Sequence, residues 1–177
     1  MFDAQHQAWL EEMRRKLFGY ACALCTDTAS AEDLYQDAML RAMAAPNPPD
    51  DPRRYRLWMF RLLRNLWIDR LRRDRRLDEL LNDPALAAPD EARITGGEQS
   101  AVNRLAVRQA FMQLSKAHRD VLALVDIGGF SYDEAAELLD LPRGTVMSRI
   151  SRARSAMASI LADVPVVALP LRRERGQ

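Results

Sequence analysis

With only two cysteines, the chain cannot form a disulfide framework, which agrees with a reducing compartment. Glycine is scarce, at seven of 177 residues, and alternating β-branched runs are few, so no β-sheet is expected. No apolar run approaches the roughly 18 residues of a membrane span. The N-terminal MFDAQHQAWLEEMRRK lacks the uninterrupted apolar core of a signal peptide, and the expected location is the cytoplasm. A glycine-rich phosphate loop is missing, as is any Ser-His-Asp or Cys-His grouping, so no catalysis and no cofactor are expected. The formal charge of +1 excludes little, because blocks of opposite sign cancel within it.

What is present is helical periodicity. About half of the residues are apolar, 48 %, enough to build real cores. From Trp9 to about Arg76 the spacing predicts three or four helices, broken at AAPNPPDDP, Ala44 to Pro52, where four prolines forbid a continuous helix. Leu77 to Ser100 carries six acids against the single Arg93, with two prolines and Gly96-Gly97, and reads as a flexible acidic linker. A second helical set follows over Val102 to Leu114, His118 to Ile127, Ser131 to Leu139 and Thr145 to Leu161. The expected fold is all-α, with two small helical domains, residues 1–77 and 101–162, joined by a linker at 78–100 and followed by a tail at 163–177.

The segment SYDEAAELLDLPRGTVMSRISRAR, Ser131 to Arg154, changes sign abruptly. Its first eleven residues hold four acids and no base, and the remainder holds four arginines and no acid. Ser131 with Glu134 fits a capping box, and Leu141-Pro142-Arg143-Gly144 separates this helix from the next. A helical step of 100° puts Val146, Ile150, Ala153 and Met157 on one side of the second helix, and Ser148, Ser151, Arg152 and Ser155 opposite, with Arg149 and Arg154 on the flanks. A small, hydroxylated face with one projecting arginine suits the second helix of a helix-turn-helix in a major groove. The alternative is an ordinary amphipathic pair with a solvated basic face.

A second basic element differs in kind. Arg53 to Arg76 holds ten arginines against two aspartates, together with two tryptophans. Phe60, Leu63, Trp67 and Leu71 share one face, while Trp58, Arg61, Asn65, Asp69 and Arg72 lie broadly opposite, with Trp58 expected to be exposed. Arginines interleaved with an aromatic and an amide suit single-stranded nucleic acid. A core helix with a solvated edge and an anionic membrane-surface helix are the alternatives. Cys22-Ala-Leu-Cys25 is a lone C-x-x-C; His6 and His118 are distant in the chain and no second pair exists, so buried small residues are expected there rather than a metal or redox site.

On these elements the chain resembles the extracytoplasmic-function (ECF) group of the bacterial sigma-70 family, over nearly its whole length. AEDLYQDAMLRAM, Ala31 to Met43, resembles the segment that docks on the clamp of the largest RNA polymerase subunit. LWMFRLLRNLWIDRLRRDRR resembles the promoter-melting and −10-reading segment, and LSKAHRDVLALVDIGGFSYDEAAELLDLPRGTVMSRISRAR the −35-reading helix-turn-helix. The resemblance implies that Asp33, Gln36, Asp37 and Arg41 face polymerase while Leu34 and Ala38 pack inside. It implies −10 contacts from Trp58, Arg61, Asn65, Asp69, Arg72 and Arg73, with the proline-rich loop before Arg53 capturing a flipped base. It also implies −35 contacts from Met147, Ser148, Arg149, Ser151, Arg152, Arg154 and Ser155. Met147 stands where the family commonly carries a lysine or arginine, which weakens one contact to DNA. The tail beyond Asp163 extends past the usual end.

Core RNA polymerase (the clamp, and the flap of the second-largest subunit), promoter DNA and an anti-sigma factor are the implied partners. A monomer is expected when the chain is free. The acidic linker would run in or near the path of the transcript. The rival readings are a free-standing helix-turn-helix regulator, which would need no polymerase, and a helical adaptor that binds only protein.

Overall fold

A computed structural model describes residues 2–81 and 98–162, which form seven α-helices and one π-helical turn, with no strand among them. The expected all-α fold is therefore found. The N-terminal set is α1 (Ala4–Leu24), α2 (Thr28–Ala44) and α3 (Pro52–Leu81). The C-terminal set is α4 (Glu98–Gln113), α5 (Lys116–Leu122), the π turn Ala123–Ile127, α6 (Tyr132–Leu139) and α7 (Arg143–Ala162). Both edges of the stretch expected to be linker are helical, to Leu81 on one side and from Glu98 on the other; its middle and the tail from residue 163 lie outside the described residues.

Each helix start carries its own signal. Asp3 caps α1, accepting from the amides of Gln5 and His6 at 3.0 Å each, and Asp27 caps α2 through the amide of Ser30 at 2.7 Å. These bonds, the one from His6 and the one from Ser30 first, hold both carboxyls below their ordinary range. Pro52 opens α3 where its missing N–H costs nothing, and the Asp51 carboxylate accepts from the amide of Arg54 at 2.8 Å. The Ser131–Glu134 capping box of α6 is present in both directions. The expected single helix over His118 to Ile127 is instead α5 running into the π turn, which ends on two glycines. A Cβ on Gly128 would lie 2.5 Å from the Leu124 carbonyl oxygen and 2.9 Å from the Phe130 ring, and Gly129 has φ +73°. Asp140, at φ 54°, closes α6 in the left-handed conformation that a short polar side chain tolerates.

One apolar core runs through both sets. Leu17, Tyr20, Leu34, Tyr55, Met59, Phe60 and Leu63 are fully buried in the first, and Val121, Leu124, Val146 and Ile150 in the second. Phe60 of α3 meets Phe130, just before α6, edge to face with ring centroids 4.7 Å apart. Beside this pair Asp120 of α5 is 5 % exposed. It accepts the Tyr20 hydroxyl of α1 at 2.6 Å on one oxygen and the Arg64 guanidinium of α3 at 2.8 Å on the other. Burial, and then the Asp120 charge, push the Tyr20 phenol well above its ordinary pKa, so it remains a donor. A carboxylate whose two oxygens reach α1 and α3 ties the two sets together.

Candidate nucleic-acid and polymerase interface

In α7, Val146, Ile150 and Ala153 are buried and Met157 is half-buried, while Ser148, Ser151, Arg152 and Ser155 are exposed. The helical step read from sequence thus separates packed from open positions. Met147 is 44 % exposed, an apolar side chain at the edge of the open face. Arg149 is half-buried on the flank. Arg154, expected to face a DNA backbone, has its guanidinium 2.6 Å from the Asp126 carboxylate, a partner 28 residues away that helix periodicity could not reveal. The Ser148 hydroxyl donates to the Thr145 carbonyl at 3.0 Å.

In α3 the apolar positions Phe60, Leu63 and Trp67 are buried, and Arg61, Asn65, Asp69, Arg72 and Arg73 are exposed. Trp58 is not exposed as expected. It is half-buried, its ring 5.5 Å from that of Tyr55, because the α3 helix lays its first turn against the aromatic rings of α1. The basic edge of α3 is also not free. Arg53 pairs with Glu134 at 3.1 Å, and Arg61 reaches the Glu137 carboxylate at 3.4 Å. Arg56 donates to the Gly128 carbonyl at 2.5 Å and lies 4.1 Å above the Phe130 ring. Burial raises the pKa of Glu134, but hydrogen bonds from Ser131 and Arg53 outweigh it, and the carboxyl is held below its ordinary range. Two acids of α6, Glu134 and Glu137, are thus turned toward α3, while Asp133 pairs with Arg143 of α7.

On α2, Leu34 and Ala38 are fully buried, as expected, and Asp33, Gln36 and Arg41 are exposed. Asp37 is half-buried and accepts from Arg70 of α3 at 2.6 Å. Leu40 and Met43, 66 % and 53 % exposed, were not anticipated. Leu40 is one helical turn beyond Gln36, and a polar face carrying an apolar centre is the signal that could have found it. Cys25 is buried and Cys22 half-buried; burial first of all raises both thiols, Cys25 to about 11. Among the described residues no group of three or more His, Cys, Asp or Glu side chains could hold a metal.

Residues 9–77 match the family model for sigma-70 region 2, and residues 104–157 match that for sigma-70 region 4. The ECF RNA polymerase sigma factor SigL of Mycobacterium tuberculosis is 32 % identical to this chain, over 90 % of each. The ECF sigma factor EcfG of Rhodopseudomonas palustris is 31 % identical, over 82 % of this chain and 78 % of its own length. The chain belongs to the ECF sigma factors of the sigma-70 family. Its function is promoter-specific initiation of transcription. The fold is shared with the sigma factor RpoE solved in complex with the anti-sigma factor NepR from Bartonella quintana, at a TM-score of 0.74 and 24 % identity over 92 % of this chain and 99 % of that one. It is shared also with CnrH solved in complex with the cytosolic domain of CnrY, at 0.62 and 26 % over 89 % and 88 %. Sigma factors are non-enzymatic initiation factors. No described helix is long and apolar enough to cross a membrane.

Proposed function

We propose that this sigma factor divides promoter recognition between α7 and α3 and docks on core RNA polymerase through α2. Ser148, Ser151 and Arg152 reach base edges of the −35 duplex, with Met147 and Ser155 beside them and Arg149 and Arg154 at the backbone. The exposed pair between Arg154 and Asp126 is one that a phosphate can replace at little cost. Arg61, Asn65, Asp69, Arg72 and Arg73, with Trp58 at the start of the face, open and hold the −10 strand. Asp33, Gln36, Asp37 and Arg41, around the exposed Leu40, meet the clamp of the largest subunit; the C-terminal set meets the flap of the second-largest. Domain limits near 77 and 101 complete this division, with α3 continuing to Leu81 and α4 beginning at Glu98.

The observation that carries the reading is α7. A small polar face with a projecting arginine stands open above Val146, Ile150 and Ala153, directly after a capped helix and a turn. The free protein is a cytoplasmic monomer in this reading. The solved complexes of the two structural neighbours support an anti-sigma factor as a partner here as well. With α6 lying on Arg53 and Arg61, the two sets must part before the −10 face meets DNA, so the isolated chain binds duplex DNA weakly. Transcription in vitro with core polymerase, this protein and a promoter library is the test. Discrete new start sites sharing upstream elements about two helical turns apart are expected. Tight, sequence-specific duplex binding by the chain alone, without new starts, would favour a free-standing regulator.

A further inference from the structure

His6 is 6 % exposed in the first turn of α1, enclosed by the rings of Phe2, Trp9 and Tyr55 at centroid distances of 5.8, 5.4 and 5.1 Å. Both of its ring nitrogens are engaged. Nδ1 lies 2.6 Å from Asp3 Oδ1, and Nε2 lies 3.0 Å from the carbonyl oxygen of Pro49, 43 residues away. Pro49 belongs to the proline-rich loop between α2 and α3, where Pro48 is buried.

Neither partner has a proton to give. A peptide carbonyl only accepts, and the Asp3 oxygen already accepts two backbone amides, the one from His6 first in holding that carboxyl below its ordinary range. Both nitrogens must therefore donate, and only the imidazolium has two N–H groups. A neutral tautomer loses either the cap or the loop. Around it, the Tyr55 hydroxyl, buried without a partner among the described residues, is pushed up to about 12 by burial, and on the loop side Asp50 and Asp51 are exposed.

We propose that His6 is a positioning residue for base selection: as an imidazolium it fastens the Pro49 carbonyl to the capped start of α1. It thereby fixes the loop against Tyr55 and Trp58 at the head of α3. This rests on the reading of that loop and of α3 as the −10 reader. The fastening is present while the imidazole carries both ring protons and is lost when either one leaves.

The test uses holoenzyme assembled from core polymerase and the full chain, on forked promoters carrying each of the four bases at the unpaired −10 position. Competitive binding is read from about pH 6 to 8.5. The wild type is expected to discriminate between bases and to lose discrimination as pH rises. H6Q has one amide donor group and cannot bridge both acceptors. It is expected to discriminate about three- to ten-fold less, the worth of one hydrogen bond, with a flat pH profile and unchanged affinity for core polymerase and for −35 duplex. Wild-type discrimination and an unaltered pH profile in H6Q would overturn the proposal. So would equal losses in all three affinities, which mark a general structural role. A wild type that discriminates at no pH would instead sink the underlying −10 reading. Nitrogen NMR of the His6 ring in the unmutated chain is independent of how the variant folds, and a neutral tautomer at about pH 6 would also overturn the proposal.

Discussion

The two basic helices, α3 and α7, differ in where their charges go. In α3, Arg53, Arg56, Arg61, Arg64 and Arg70 each find a carboxylate or a carbonyl within the chain. In α7, Ser148, Ser151 and Arg152 stand open, and among the described residues only the flanking Arg143 and Arg154 pair with acids, Asp133 at 3.0 Å and Asp126 at 2.6 Å. Under the proposed division of the promoter, a helix that reads duplex can be left presented, because its face is small and well hydrated. A longer helix carrying ten arginines is, under the same proposal, better neutralised until its ligand arrives, since unpaired like charges repel. Similar composition therefore serves one ready surface and one covered surface.

The comparison breaks most completely at Asp120. Asp120→Ala leaves the Tyr20 hydroxyl and the Arg64 guanidinium without their shared acceptor, in a place where Asp120 and Tyr20 are almost wholly buried. A loss of about 3–5 kcal/mol in urea unfolding is expected, against about 1 kcal/mol for Tyr20→Phe, which removes one neutral donor. An Asp120→Ala protein of unchanged stability would mean that the carboxylate does not join the two sets. The next largest effect falls on the turn that aims α6. Gly128→Ala puts a methyl 2.5 Å from the Leu124 carbonyl oxygen, a backbone atom that cannot swing aside, and should cost about 1–3 kcal/mol by the same measurement.

The buried sides of α3 and α7 were legible in the sequence because helical period determines them, and those of α2 followed from the family resemblance. Val146, Ile150, Ala153, Phe60 and Leu63 are buried where the 100° step puts them, and Leu34 and Ala38 where the resemblance does. What was not legible is what one helix does to another. Trp58 lies beside Tyr55 where α3 meets Trp9 of α1, Arg154 is taken by Asp126, and Glu134 and Glu137 of α6 pair with α3; each depends on packing between segments far apart in the chain. The π turn escaped for a different reason. Its residues have ordinary helical preferences, and only the Gly128 contacts show why the winding changes there.

The open helix is sharpened by substitutions that leave the fold alone. Arg152→Ala removes an exposed side chain with no partner to strand among the described residues, so stability should hold within about 0.5 kcal/mol. Promoter use should fall by about 1–3 kcal/mol, or roughly five- to 160-fold in start-site yield, with the loss confined to promoters that depend on the −35 element. Asn65→Ala should spare −35 duplex binding and lower permanganate reactivity of the −10 strand in the open complex. An equal loss of both activities in either variant would mean that the two helices do not divide the promoter.

The smallest expected effect bears most directly on the covered helix. Glu137 is 58 % exposed and its pair with Arg61 spans 3.4 Å, so the pair contributes only about 0.2–1 kcal/mol. Glu137→Lys turns that attraction into repulsion between like charges, and the isolated chain should gain affinity for single-stranded −10 oligonucleotide by about two- to five-fold, more at low salt than at high. Glu137→Gln should give a smaller gain with less salt dependence, because it removes the attraction without adding repulsion. If both variants bound the strand no better than the wild type, α6 would not be what covers α3, and the weakness of isolated DNA binding would have to lie in α3 itself. If Glu137→Lys alone gained, and by the same factor at high salt, the cause would be new contacts of the lysine with the strand rather than release of Arg61.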